Sequence, residues 1–117
     1  MMVEEQAKFA TDLAKLILYI NSQEYTLSLG EVWRTQYQQD HYVATGLSKT
    51  KHSKHQDRIA VDLNIFKNGK LIFKNGKLII CPKEIGTYWK SLSNANVWGG
   101  DWKSPYDPGH FERDIDK

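Results

Sequence analysis

Ile59-Ala60-Val61-Asp62-Leu63-Asn64-Ile65-Phe66 is the stretch that decides the fold. Aliphatic residues alternate with small or polar ones, which is the period of a strand with one buried face. Ile59, Val61, Leu63 and Ile65 fall on one side, and Ala60, Asp62 and Asn64 on the other. A carboxylate on a strand whose opposite face is all aliphatic is rigidly mounted. Groups on regular elements are placed more accurately than groups on loops.

Downstream of this strand a heptapeptide is duplicated within residues 66–80. Phe66-Lys67-Asn68-Gly69-Lys70-Leu71-Ile72 is followed at once by Phe73-Lys74-Asn75-Gly76-Lys77-Leu78-Ile79. Each copy carries Asn-Gly, whose two residues accept the positive φ of a tight hairpin turn. Two such turns predict a small antiparallel meander at the surface, with lysines guarding its edge against aggregation. Seven residues is too short a unit for a solenoid. A short helix is expected around Ile85–Leu92. The final stretch, Asn94–Glu112, is dense in Trp, Gly, Asp and Pro and reads as a shaped loop.

Upstream, Thr45–His55 is rich in Gly, Ser, Thr, Lys and His and reads as a loop. Tyr25–Leu29 alternates as a short strand closed by Gly30. Glu31–Tyr42 fits a helix or an irregular segment, with helix preferred. Residues 1–22 hold an amphipathic helix, in which Phe9, Leu13, Leu16, Ile17 and Ile20 recur at helical spacing and the acids sit in the first turn. Its polar face mixes both signs, so a core helix fits better than one lying on a membrane surface.

The chain has 117 residues and a formal charge of +2, consistent with a single domain spanning 1–117 and with no strong field toward nucleic acid. Its one cysteine, Cys81, has no partner within the chain. No run is apolar for long enough to cross a bilayer. The N-terminal run is broken by Glu4, Glu5, Lys8, Asp12 and Lys15, unlike a signal peptide, so synthesis in the cytoplasm is expected. A monomer is expected as well. Lys49, Lys51, Lys54 and Arg58 would suit a nucleic acid, but they lack interleaved aromatics and any known motif, so none is expected as partner.

Three residues stand out as a split ligand set. His55 lies in the loop before the strand, Asp62 on it, and His110 near the C-terminus, after Asp107-Pro108-Gly109. On one helix, His55 and Asp62 would sit two turns, roughly 10 Å, apart; a loop leading into a strand can aim both at one point. Two imidazoles and a carboxylate leave the fourth position of Zn²⁺ open, as hydrolytic sites require. Asp107 is then an additional carboxylate, suited to accept a proton. The same residues also suit plain structural roles: a loop histidine, a strand-edge charge and a satisfied polar group.

Taken together, Ser53-x-His55-x-x-x-x-Ala60-x-Asp62, Trp98-Gly99-Gly100-Asp101-Trp102 and Asp107-Pro108-Gly109-His110-Phe111 resemble the zinc D-alanyl-D-alanine carboxypeptidase and phage L-alanyl-D-glutamate endolysin peptidase family. Gly30-Glu31-Val32-Trp33-Arg34-Thr35 resembles that family's upstream arginine motif. The likeness runs in family order from about Gly30 to Glu112. It is strongest to the short phage and prophage members, whose strand reads Ala-x-Asp-Leu-Asn-x-Phe, as Ala60–Phe66 does. The resemblance implies an α+β fold of the Hedgehog/DD-peptidase type, a small domain with a central antiparallel sheet flanked by helices.

It also implies roles. His55, Asp62 and His110 would bind Zn²⁺, and Asp107 would act as general base. Arg34 would bind a substrate carboxylate or the oxyanion, its alternative being a surface salt bridge on a helix. Ser53 would orient the His55 loop, and Trp98 and Trp102 would line the groove or belong to the core. Many relatives have Gly where this chain has Arg58, which would then favour an anionic arm of the substrate. His52 is a rival ligand with the wrong spacing to Asp62, and His41 and Cys81 stand outside the site. The implied activity is a zinc metallopeptidase that cuts peptidoglycan stem peptides, as an L,D-endopeptidase or a D,D-carboxypeptidase. It would reach the bacterial cell wall by phage-type release or as part of a virion. The alternative is a non-catalytic zinc-containing module of the same fold that binds cell wall or a protein.

Overall fold

A computed structural model describes residues 2–47, 53–71, 73–74, 77–78, 82–103 and 106–115. In chain order the elements are α1 (Met2–Ser22), β1 (Tyr25–Leu29), α2 (Gln36–Ala44), β2 (Ala60–Lys67), β3 (Lys70–Leu71), β4 (Phe73–Lys74), β5 (Lys77–Leu78), α3 (Lys83–Ser91), β6 (Asn96–Trp98), a 3₁₀ turn (Gly99–Asp101) and β7 (His110–Arg113). The main sheet is antiparallel in the order β1-β2-β7-β6, with β3 added beside the end of β2. The α+β architecture is the one expected.

The strand that decides the fold lies at the centre of this sheet. Its aliphatic face, Ile59, Val61, Leu63 and Ile65, is at most 1% exposed and forms the core with Phe9, Leu16 and Ile20 of α1 and Ile85 and Trp89 of α3. Trp89 meets both Phe9 and Phe111 edge-on, at ring centroid separations of 5.6 and 5.9 Å. Each such fully buried side chain stabilises the fold by roughly 1.5–3 kcal/mol. Asn96 ties the layers together, donating to Asp12 of α1 at 3.1 Å and to the Trp89 carbonyl at 2.9 Å. Thus α1 is a core helix. Among the described residues no helix is long and apolar enough to cross a membrane.

Three expectations need correction. Asn94–Glu112 is not one shaped loop, since it contains β6, the 3₁₀ turn and the start of β7, which lies inside the sheet. Pairing with β2 makes this stretch a strand, and local composition does not reveal such a partner. The segment before α2 is irregular: the helix starts only at Gln36, capped by Thr35 and Gln38 in a reciprocal capping box. The duplicated heptapeptides do not make one meander. The first closes the β2–β3 hairpin, with Asn68 and Gly69 at φ 54° and 77°, and the second forms the separate β4–β5 pair. The second Asn-Gly pair, His52, Lys49, Lys51 and Cys81 lie outside the described residues.

Candidate metal centre

α1 and α3 cover one face of the sheet; the other carries the polar groups. Asp62 on β2 and His110 on β7 are directly opposite in register, and Ala60 faces Glu112 one pair further along. The Asp62 backbone is held by the segment that follows β1. Its N–H donates to the Glu31 carbonyl at 2.9 Å, and its own carbonyl accepts from Gly30 N at 2.7 Å. A side chain at position 30 would press on that carbonyl, because a Cβ there would sit 2.9 Å from it. The glycine that ends β1 is therefore required by close approach, not by its turn alone.

His55 enters from the turn before β2. Ser53 Oγ accepts from the His55 N–H at 3.2 Å, and Gln56 Oε1 accepts from Ser53 N at 2.8 Å, so the loop is braced by its own side chains. Gln6 of α1 donates to the Asp57 carbonyl at 2.9 Å and anchors the turn from outside. Arg58 has φ 60°, a left-handed conformation that glycine adopts most easily. Its guanidinium lies 5.1 Å from the centroid of the exposed Trp33 ring. Lys54, from the same basic run, pairs with Asp114 at 3.7 Å.

The structure brings the three candidate ligands together. Ligand atoms of His55, Asp62 and His110 all lie within 4.8 Å of one another, the one group of three His, Cys, Asp or Glu side chains among the described residues that can reach a single ion. His55 Nε2 is 3.4 Å from Asp62 Oδ2, and His110 Nδ1 is 3.0 Å from Asp62 Oδ1. Both imidazoles are buried while the carboxylate is partly open, at 37% side-chain exposure, so the trio has a solvent-facing side. Two nitrogens and one carboxylate oxygen match the donor set of a hydrolytic zinc site. Burial disfavours the Asp62 carboxylate, but hydrogen bonds from His110 and His55 outweigh it and hold the group well below the usual carboxylate range. Burial likewise opposes the His110 imidazolium, and its bonds to Asp62 and Glu112 override this, pushing it up to about 9.

Asp107 is half-buried at the entry to β7 and feels the charges of His110, Asp62, His55 and Arg34. Burial raises its pKa, with His110 opposing. The turn that carries it is locked: Asp107 N donates to Gly99 O at 3.0 Å, and His110 N donates to Asp107 O at 3.1 Å. Trp98 Nε1 donates to the Pro108 carbonyl at 2.8 Å, so this tryptophan is a core residue that positions the turn. Trp102 is the one beside the ligands, its ring 5.0 Å from that of His110. A Cβ on Gly99 would come within 2.0 Å of the Asp107 carbonyl oxygen. Gly99→Ala should therefore cost about 1–3 kcal/mol by overpacking. Urea unfolding that finds it within experimental error of wild type would refute this role for Gly99.

Arg34 lies in the extended segment before α2, not on a helix. It does form an ion pair, through Nε and Nη2 to Glu31, but its side chain is only 12% exposed. Nη1 donates to Gln39 at 2.7 Å, and the guanidinium stacks 4.6 Å from the Tyr42 ring centroid. Tyr42 in turn donates to Glu31 at 3.2 Å. Glu31, Gln39, Tyr42 and Glu112 were not legible as site residues. For Glu112 a signal existed, since its i+2 spacing from His110 puts both on one face of a strand.

A family model described as D-alanyl-D-alanine carboxypeptidase matches residues 47–113, more than half of the chain. Among solved structures, the chain is similar to the L-Ala D-Glu endopeptidase ChiX of Serratia marcescens, with 23% identity and a TM-score of 0.67. That likeness covers 94% of this chain and 84% of the other. At this identity it establishes the shared fold. No curated protein sequence gives a significant match.

Proposed function

Because this chain belongs to the D-alanyl-D-alanine carboxypeptidase family, we propose that it is a zinc-dependent peptidase hydrolysing an amide bond in the peptide stems of peptidoglycan. The observation that carries this reading is the convergence of His55, Asp62 and His110 with the half-buried Asp107 carboxylate held beside them. A module that only binds its target has no use for a proton acceptor at that point.

His55, Asp62 and His110 would hold the ion, which supplies Lewis-acid polarisation of the scissile carbonyl and acidifies the attacking water. Asp107 takes a proton from that water as the water oxygen bonds to the carbonyl carbon. It then delivers the proton to the departing amine nitrogen as the C–N bond breaks. Arg34, held by Glu31, Gln39 and Tyr42, would offer its remaining guanidinium N–H groups to a carboxylate or developing oxyanion of the stem peptide. Trp102 shields one side of His110.

The test is digestion of purified peptidoglycan by the zinc-loaded protein, with the new termini identified by mass spectrometry. The L-Ala–D-Glu amide is the first bond to inspect, because the Serratia protein of the same fold is named for it. Release of fragments with defined new termini is expected. Stoichiometric zinc binding without any cleavage would overturn the catalytic reading in favour of a binding module. Arg34→Ala should raise KM about tenfold, the effect of one lost charge-assisted hydrogen bond of about 1.5 kcal/mol. Unchanged kinetics would remove Arg34 from the site.

A further inference from the structure

The two histidines of the trio turn opposite ring nitrogens toward Asp62, and only one of them has a partner behind it. His55 faces Asp62 with Nε2, and its Nδ1 is buried without a hydrogen-bond partner among the described residues. His110 faces Asp62 with Nδ1, and its Nε2 lies 2.7 Å from Glu112 Oε1. Glu112 is itself 9% exposed, on the same strand and two residues along. Across the sheet its register partner is Ala60, whose single methyl group leaves space on that face for the longer carboxylate.

We propose that Glu112 is a positioning residue that fixes His110 in the tautomer and ring orientation that present Nδ1 to the metal. A neutral imidazole can carry its lone pair on either nitrogen, and a 180° ring flip puts a ring carbon where each nitrogen stood. A buried carboxylate 2.7 Å behind one nitrogen removes that freedom, because only the Nε2–H tautomer can donate to it. The lone pair is then left on Nδ1, on the side of Asp62 and His55. Carboxylate partners of this kind raise ligand basicity, and their loss typically weakens metal affinity by about 10–100-fold. His55 has no such partner: Ser53 Oγ braces its backbone N–H, and the side chain is buried. Glu112 thus assigns different nitrogens to the two histidine ligands. The inference rests on the metal reading given above.

Two measurements separate its failure from the failure of that reading. The first is competition titration of Zn²⁺ against a chromophoric chelator for wild type, Glu112→Gln and Glu112→Leu. Thermal unfolding of the metal-free proteins accompanies it to verify that each is folded. Glu112→Leu is expected to bind zinc about 10–100-fold more weakly, and Glu112→Gln, whose amide oxygen still accepts from Nε2–H, to recover most of the loss. The second is ¹⁵N-edited NMR of the His110 ring in zinc-loaded wild type, which needs no variant to fold. Protonated Nε2 with zinc on Nδ1 is expected. Zinc bound through Nε2, or a Glu112→Leu protein with wild-type affinity, overturns the role of Glu112 and leaves the metal site intact. A wild-type protein that binds no zinc overturns both.

Discussion

Asp107→Asn is expected to lower peptidoglycan hydrolysis by about two to four orders of magnitude, the usual contribution of a positioned general base, and to leave zinc binding unchanged. Asparagine keeps the shape of the side chain and the backbone bonds to Gly99 and His110 that hold the turn. It loses only the ability to accept a proton. Because Asp107 is outside the ligand trio, the substitution separates chemistry from metal binding, which a ligand substitution cannot do. The pH profile gives a second readout. The base works only when ionised, so the acid limb of the activity profile is expected to follow the ionisation of Asp107 in the zinc-loaded protein. That limb disappears from the residual activity of the Asn variant. Full activity in Asp107→Asn, or an unchanged acid limb, would assign the proton transfer to another group.

How much of this was legible in sequence depended on whether each feature is local. The central strand was, because Ile59, Val61, Leu63 and Ile65 carry their burial in their own spacing; β2 spans Ala60–Lys67, one residue off the expected range. The N-terminal helix and the first hairpin turn were legible for the same reason. β7 was not. Its four residues, His110–Arg113, follow a turn of Asp, Pro and Gly, and they become a strand only through pairing with Ala60–Asp62 and with β6. Missing β7 as a strand hid Glu112, since the i+2 rule applies only once the strand is known.

The candidate site shows the same division. His55, Asp62, Asp107 and His110 were picked out by residue type and by motif order, and the structure adds how they are held. Ser53 braces His55, and Trp98 holds Pro108 through its indole N–H. A Cβ on Gly86 or Gly100 would come within 2.2 Å of the Trp98 ring. The Trp-Gly-Gly motif is therefore a packing device behind the Asp107 turn. The surroundings of Arg34 could not be read in advance, because Gln39 and Tyr42 approach it only through the fold of the segment between β1 and α2.

Zinc affinity is expected to rise about fiftyfold between pH 7 and pH 9, close to tenfold over the first unit and less as pH nears the His110 value. The cause is His110, which must be neutral to bind a metal but is held protonated up to about 9 in the metal-free protein, where Asp62 and Glu112 overcome the opposing effect of burial. Below that value each zinc that binds would displace a proton from the ring. The stability of the metal-free fold runs the other way. The His110 pKa is raised on folding, so its contribution is fully present below the ordinary histidine value of 6.5 and is lost as pH rises through about 9. Asp62 is depressed on folding and acts at the other end: its contribution holds above the ordinary 3.8 and is lost as pH falls toward its folded value. Raising pH from 7 to 9 should therefore lower the Tm of the metal-free protein while widening the gap between the metal-free and zinc-loaded forms, because tighter binding stabilises the folded state by mass action. Chelator competition at pH 7, 8 and 9, beside melting curves with and without zinc, reads both effects. An affinity that stays flat across this range would mean that His110 is already neutral at pH 7 in the metal-free protein, and would overturn its raised pKa.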